Sequence, residues 1–454
     1  MKGYGMEPMT LAEKVFSWIK NSVILKFLGI GILMAVLMIP ISMLNKLVYE
    51  RSMLQREAIA EISSKWGNEQ TLTGPVLTIP YSVVIRTQTN ETHRETRYAH
   101  FLPDELAING ELIPQSRYRG IYKALLYEAD LDISGSFTMP QPDPDQIGAE
   151  SVDYDKAFIQ LGIPDMRGIG SNVIINWNGD RYTAVPGIPT TDISTTGIHF
   201  PVTLSGSVKS SVVPFTFRLN LNGSGRLSFV PVGKETKVSL RSTWNSPSFD
   251  GTFLPQQRSI SDKGFSAQWQ VLHFNRNFPQ SWVGSGYNLQ ASLCGISMVT
   301  PVDHYHMVTR SVKYAALIIF LTFLLFFIIE MMKKFRVHPF QYLLIGTGLV
   351  LFYSLLLSVS EQLIFPAAYA VAAGSTTLLL SLYTYSVVRN RVQTLMVGGM
   401  FCVLYVFLYI ILRSEDYALL IGSTGLFLLL GTVMFLTRNV NWYRLNRCDA
   451  EAES

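Results

Sequence analysis

The feature that most constrains this chain is a set of six apolar runs, one near the start and five in the last third. A helix rises about 1.5 Å per residue, so each run is long enough to cross a bilayer core of about 30 Å. The predicted spans are residues 23–44, 314–332, 342–360, 363–388, 394–412 and 417–436. Only 15% of the 454 residues are charged, against about 25% in an ordinary soluble domain. The sequence therefore predicts a membrane helical bundle rather than a soluble or disordered chain.

The first run could instead be the apolar region of a cleaved signal peptide. Phe27 to Leu44 is an uncharged stretch of 18 residues, whereas a signal peptide has about 7–15 apolar residues before a small-residue cleavage site. No A-x-A pattern directly follows this stretch. We favour an uncleaved anchor.

Lysine and arginine in the short loops predict the orientation, because cytoplasmic loops carry an excess of both. The loops after the second and fourth spans and the C-terminal tail together hold eight basic residues, and the two alternating loops hold one, Arg413. Six spans then place both termini, residues 1–22 and 437–454, in the cytoplasm. Residues 45–311 become one large periplasmic domain.

The sequence of the predicted periplasmic domain indicates a helical stalk followed by strands. Residues 45–66 have apolar residues at helical spacing. Beyond them the pattern has period two, as in Phe215 to Leu221, where apolar and polar residues alternate. Asn222 to Gly225 is a turn signal after this strand. Many short strands with Gly and Pro between them indicate an all-β or β-rich domain of antiparallel sandwich or barrel type.

A weak internal similarity suggests two related β modules. Trp177-Asn178 and Trp244-Asn245 each follow a strand, and Gly197 and Gly264 follow them at the same offset. Chance similarity among glycine-rich strands is the competing explanation.

Charge and cysteine usage limit the possible functions of this domain. Residues 45–311 hold 23 Lys and Arg and 24 Asp and Glu, so no basic surface for nucleic acid is expected. The predicted topology separates Cys294, Cys402 and Cys448, so neither a disulfide framework nor a cysteine zinc site is expected. Ser17 and Lys20 fit an S-x-x-K pattern, but they precede the first span on its cytoplasmic side. We predict no catalytic residue, no cofactor and no metal.

Asp165-Met-Arg167-Gly168-Ile-Gly170 is the strongest local motif. Arg167 could hold a carboxylate or phosphate with its planar guanidinium. The alternative, which we favour, is an Asp/Arg pair that closes a turn while the glycines adopt positive φ.

Several long motifs make the chain resemble the CreD family of inner-membrane proteins. They include Trp244 to Pro255, Asp165 to Gly170, and Thr300-Pro-Val-Asp303 continuing to Arg310 and Tyr314. Phe340 to Glu361 and Thr437 to Tyr443 also match. The resemblance implies a bacterial inner-membrane protein that maintains cell envelope integrity, a stress-response role associated with colicin tolerance and the CreBC two-component system. It brings no catalytic residues.

His304-Tyr-His306 is a possible metal pair, since alternate residues of a strand point to one face and two imidazoles could share Zn²⁺. The resemblance argues against this, because the family often has Gln at these positions. We interpret the segment as a polar strand end.

Three functions remain as hypotheses for this sequence, one of which, an envelope hydrolase, has no recognisable catalytic group to support it. The first is non-catalytic binding of a periplasmic protein or envelope component by a domain anchored in the lipid bilayer, with Asp165, Arg167, Gly168, Asp303 and Arg310 as candidate structural or binding residues. The alternative is a transporter or channel-like protein. The spans offer it few ionisable groups, since Glu330 and Glu361 lie near span ends, where we expect interfacial anchoring.

Overall fold

The computed structural model describes residues 23–86, 92–139, 149–204, 212–298, 304–333, 338–414 and 417–438. The chain divides into two compact units. The helical unit comprises Met1–Leu54 and Val302–Ser454, and the β unit is Gln55–Pro301. The predicted outer domain, residues 45–311, is thus longer than the β unit at both ends. Apolar helices and a large β-rich region are confirmed as the two components of the fold.

Seven α-helices lie in the described part of the chain. They are α1 Val23–Trp66, α2 His304–Lys313, α3 Ala315–Lys333, α4 Pro339–Ser360, α5 Phe365–Val388, α6 Arg391–Arg413 and α7 Ala418–Thr437. Five of them are long and apolar enough to cross a membrane, and a sixth span results if α2 and α3, bent by 42° at their junction, form one. Residues 45–66, predicted as a stalk, are the second half of α1, which contains Pro40.

The described residues of the β unit form a ten-stranded and an eight-stranded sheet. The ten-stranded sheet comprises β1 Gln70–Arg86, β2 Thr92–Phe101, β5 Ser151–Val152, β6 Phe158–Gly162, β9 Val185–Pro186, β10 Gly197–Pro201, β12 Arg226–Val230, β14 Pro247–Gly251, β17 Ser281–Val283 and β18 Cys294–Met298. The eight-stranded sheet comprises β3 Glu105–Arg119, β4 Tyr122–Thr138, β7 Ile174–Trp177, β8 Asp180–Thr183, β11 Val212–Ser224, β13 Glu235–Ser242, β15 Gln257–Ser261 and β16 Gly264–Leu272.

The two sheets enclose one apolar core. Val76 and Phe200 reach it from the ten-stranded sheet, and Leu131, Phe215 and Leu240 reach it from the other. Strand β11 alternates as its sequence predicts from Phe215 to Leu221, with its apolar side chains buried and the intervening polar ones largely exposed. Burying one face of each sheet against the other removes this apolar surface from water, at about 25 cal/mol per Å².

The two predicted β modules are not separate bodies. Strands β6 and β10 from the first repeat share a sheet with β12, β14 and β18 from the second, and both repeats contribute to the single core. The turn predicted at Asn222 to Gly225 is a crossing between sheets, because β11 and β12 belong to different sheets. Gly225 has φ +66°, a conformation that glycine adopts readily.

Candidate binding site

The Asp165 carboxylate joins two parts of the β unit. Its Oδ1 accepts from Arg167 Nε at 2.9 Å and from the Arg167 backbone N–H at 3.2 Å. Its Oδ2 accepts from Arg167 Nη2 at 2.9 Å and from the Asn68 backbone and side chain at 3.0 and 2.9 Å. Gln70 Nε2 donates to the carbonyls of Asp165 and Asn222 at 2.9 and 3.1 Å. Asp165 therefore ties the segment between α1 and β1 to its own loop.

The charge on Asp165 is stabilised within this network. Hydrogen bonds from Arg167 lower the pKa of the Asp165 carboxyl, although its burial opposes the shift. The Arg167 side chain is 59% exposed, but its guanidinium is already paired with this carboxylate. These contacts favour the structural alternative over an anion clamp.

Glycine is required at position 168 because a side chain would not fit there, and not because of its backbone conformation. The expectation of positive φ at Gly168 and Gly170 is wrong, because neither belongs to the residues with positive φ. A Cβ on Gly168 would lie 2.2 Å from Asn222 O, and one on Gly170 would lie 2.2 Å from Asn220 Oδ1. Each glycine lets its loop approach strand β11.

Among the other candidates, Asp303 lies outside the described residues, whereas Arg310 lies on α2. Arg310 Nη2 donates to the carbonyls of Ile411 and Ser414 at 3.3 and 3.4 Å. Ser414 is the C-cap of α6, so Arg310 places a positive charge where the helix dipole is negative.

His304 and His306 lie at the start of α2, and the prediction that they lie on a strand is wrong. Residues two apart on a helix point in different directions, so the two imidazoles do not share a face. Within the described residues, no group of three or more His, Cys, Asp and Glu side chains could hold a metal ion.

A polar groove of about 490 Å³ lies on the outer face of the eight-stranded sheet. Four strands contribute one row of side chains to it. Thr216 on β11 is opposite Ser134 on β4 and Asn176 on β7, and Asn176 is opposite Arg181 on β8. Residues directly opposite on neighbouring strands share a face of the sheet, so this row presents hydroxyl, amide and guanidinium groups together.

A second row adds charges of both signs to the groove. Asn109 is opposite Asp132, which is opposite Arg218. Arg218 Nε donates to Asp130 Oδ1 at 2.9 Å, its Nη2 donates to Oδ2 of that carboxylate, and its Nε lies 3.9 Å from Asp132 Oδ1. The hydrogen bonds from Arg218 lower the pKa of the Asp130 carboxyl. The side chains of Arg218 and Asp132 are 66% and 73% exposed, so a ligand can reach both.

None of these groove residues stands out in the sequence as a candidate for binding. On β11 the groove residues are the polar ones that alternate with the apolar residues by which the strand was identified. Which polar faces of β3, β4, β7, β8 and β11 lie side by side depends on strand order, which the alternation does not encode.

The β unit also contains a buried polar chain that sequence analysis missed. Gln160 Nε2 donates to Thr78 Oγ1 at 3.1 Å, Thr78 Oγ1 lies 3.0 Å from His100 Nδ1, and His100 Nε2 lies 3.1 Å from Asp192 Oδ2. Burial lowers the pKa of His100 despite the nearby Asp192. A neutral imidazole then accepts from Thr78 and donates to Asp192. The order resembles a Thr-His-Asp triad, but Thr78 and His100 are fully buried, and a substrate has no access to the Thr78 hydroxyl.

In the helical unit, both flagged carboxylates contact other helices. Glu361 Oε1 accepts from the Tyr305 hydroxyl at 2.9 Å and lies 3.9 Å from Arg51 Nε. Glu330 is buried, at 7% exposure, and its Oε2 accepts from the Tyr342 hydroxyl at 3.2 Å. The anchoring interpretation is wrong for Glu330, whose side chain points between helices.

The amino-acid sequence is similar to those of known proteins. Residues 22–443 match the family model described as Inner membrane protein CreD. The Inner membrane protein CreD of Escherichia coli strain K12 is 32% identical over 413 residues, which cover 90% of this chain and 91% of that protein. An M1 zinc metallopeptidase from Deinococcus radiodurans, solved as a mutant with a Tyr-Ser-Ala substrate, is similar with a TM-score of 0.21 and 8% identity, over 48% of this chain and 54% of that one. So low a score carries no argument about fold or function.

Proposed function

Because the chain belongs to the CreD family of inner-membrane proteins, we propose that it maintains the cell envelope through non-catalytic binding. In this proposal the β unit lies in the periplasm and binds a periplasmic protein or another envelope component. The helical unit anchors it in the inner membrane, with both termini in the cytoplasm. The partition of Lys and Arg between alternate loops supports this orientation.

The groove on the eight-stranded sheet is the observation that carries the proposal. Its volume of about 490 Å³ lies within the range of about 300–1,000 Å³ typical of ligand sites. Ligand sites are mostly apolar, whereas this groove presents Asn109, Asn176 and Thr216 beside charged Asp132 and Arg181. Such a lining favours a polar partner with groups of both charges, as a peptide segment or an envelope polymer carries.

The buried Thr78–His100–Asp192 chain supports a non-catalytic role. A nucleophile must reach the substrate carbonyl at about 3–3.5 Å. Thr78 is 0% exposed, and its hydroxyl is already bonded to Gln160 and His100. These contacts match a structural network that satisfies polar groups within the sheet.

Site-specific crosslinking in cells tests the proposal. A photoreactive amino acid at Arg181, in the groove, is expected to give a discrete crosslinked product in the full-length membrane protein. Ser259 lies on β15 at the opposite edge of the same sheet and is exposed, so the same amino acid there is the matched control. Equal products at both positions, or none at Arg181, would contradict binding at the groove.

A transporter or channel-like function is the second candidate, and the buried Glu330 favours it. An ionisable group inside apolar helices often marks a solute or proton path. Proton flux in vesicles reconstituted with the full chain, reported by an internal pH dye, tests this function. Flux that Glu330→Gln abolishes and that Glu361→Gln leaves intact would establish it, whereas absence of flux in the unaltered protein would reject it for protons.

A further inference from the structure

A large apolar groove lies between α5 and α6 of the helical unit. Its volume is about 960 Å³. It extends from Pro366 and Tyr409 at one end to Tyr385 and Arg391 at the other. The nineteen helical steps from Pro366 to Tyr385 span roughly 28 Å, close to the bilayer core of about 30 Å. The groove therefore runs along most of the predicted membrane depth.

Two glycines in this groove face space that none of the described residues fills. Gly374 on α5 and Gly399 on α6 line the groove, and a Cβ on either would have nothing within 4 Å. A Cβ on Gly346, by contrast, would lie 2.2 Å from Leu37 Cδ1. Close approach of helices explains Gly346 and does not explain Gly374 or Gly399.

The positive charge in the groove is confined to one end. Arg391 is exposed, and within the described part of the chain it forms no ion pair. Tyr385, which is 44% exposed, lines the same end. This end lies at the loop between α5 and α6, which is predicted to face the cytoplasm. A cation at the mouth of an apolar groove complements a molecule with an anionic head and hydrocarbon tails.

The distances along the helices match one leaflet of a bilayer. Gly399 is eight residues from Arg391, or roughly 12 Å, and Gly374 is eleven residues from Tyr385, or roughly 16 Å. Half of the hydrocarbon core is about 15 Å. Acyl chains that begin at the charged end would therefore reach the open space beside the two glycines.

We propose that the groove between α5 and α6 binds one anionic diacyl phospholipid, with its phosphate at Arg391 and its acyl chains beside Gly374 and Gly399. This inference does not depend on what the β unit binds. It assigns the open groove to a specific lipid rather than to bulk bilayer, because the Arg391 guanidinium, which forms no ion pair with any described residue, selects a negative head group.

Native mass spectrometry of the full chain with added phosphatidylglycerol or phosphatidylethanolamine tests whether the Arg391 charge selects an anionic lipid. The protein is expected to retain phosphatidylglycerol preferentially. Arg391→Gln should weaken that retention about fivefold, since one arginine near an anionic head group contributes about 1 kcal/mol. Arg438→Gln removes an equal charge beyond the last helix and should leave retention unchanged. An equal effect of both substitutions, or of neither, would overturn the proposal.

Filling the groove tests the position of the acyl chains. Gly399→Leu should remove the bound phosphatidylglycerol, and Gly374→Leu should do the same from the facing helix. Gly431→Leu is the control, because a Cβ on Gly431 also has nothing within 4 Å and Gly431 does not line the groove. Unchanged lipid in both groove variants would overturn the proposal. If these variants lost a dimer of the protein and kept the lipid, the groove would be an interface with a second copy of the chain, and the proposal would also be overturned.

Discussion

At the scale of single residues, Asp165 accepts several hydrogen bonds through its charged carboxylate. Its carboxylate accepts from Arg167 and Asn68, which come from segments almost a hundred positions apart. The motif beginning at Asp165 predicted the bond to Arg167, because the two residues are neighbours in the sequence. Asn68 and Gln70 could not be predicted, since no local pattern shows which distant segment reaches this loop.

We expect Asp165→Asn to lower the free energy of unfolding of the β unit by about 1.5–3 kcal/mol, the usual contribution of a hydrogen bond to a charged group. The substitution keeps the side-chain shape and removes the negative charge that pairs with Arg167. Thermal unfolding of the detergent-solubilised chain measures the effect. Asp132→Asn, at a side chain 73% exposed, is the control. Equal stability of the two variants would show that the Asp165 network contributes nothing.

His100 should make the stability of the β unit depend on pH. Burial lowers the pKa of His100 in the folded state, so the unfolded chain takes up a proton first, near pH 6.5. The stability from the neutral imidazole is therefore complete above pH 6.5 and is lost as the pH falls from 6.5 towards the lower pKa of the folded state.

Tryptophan fluorescence provides the measurement for His100, because the ring centroids of Trp282 and His100 are 5.4 Å apart. We expect the Tm of the unaltered chain to fall between pH 7.5 and pH 5.5, and His100→Gln to reduce that fall. His199→Gln, at a partly exposed imidazole on β10, should leave the fall unchanged. An identical pH dependence in all three proteins would contradict a neutral, buried His100.

At the scale of elements, the periodicity of apolar residues predicted individual strands correctly. It did not predict which sheet each strand joins. The alternation from Phe215 to Leu221 identified β11 and its buried face correctly. The turn signal at Gly225 could not show that β12 joins the other sheet, because a tight turn is compatible with either destination. His304 and His306 were assigned to a strand because three residues are too few to separate period two from a helix.

Glycines in the helices divide into two kinds, and substitution should separate them. Gly346→Leu would force a side chain against Leu37 and Phe323, whose atoms lie 2.2 and 2.9 Å from the Cβ position. We expect a loss of about 1–3 kcal/mol, typical of an overpacked interior. Gly422→Leu, with nothing within 4 Å of its Cβ position, should be tolerated. Thermal unfolding of both variants in detergent checks the contrast, and equal Tm values would contradict it.

At the scale of the whole molecule, the proposed function requires a membrane topology in which the β unit lies in the periplasm. Long apolar runs predicted the helical unit because the bilayer imposes length and composition on each span. The sheet pairing within the β unit could not be predicted, because parallel contacts such as β1 with β12 join distant segments. The groove follows from that pairing and was missed for the same reason.

Alkaline phosphatase fusions test the central claim most directly, because the enzyme is active only after export to the periplasm. A fusion after residue 204, within the β unit, should be active, and a fusion after residue 438, beyond α7, should be inactive. Inactive phosphatase at residue 204, with the fusion protein present at normal abundance, would place the β unit in the cytoplasm and contradict the account.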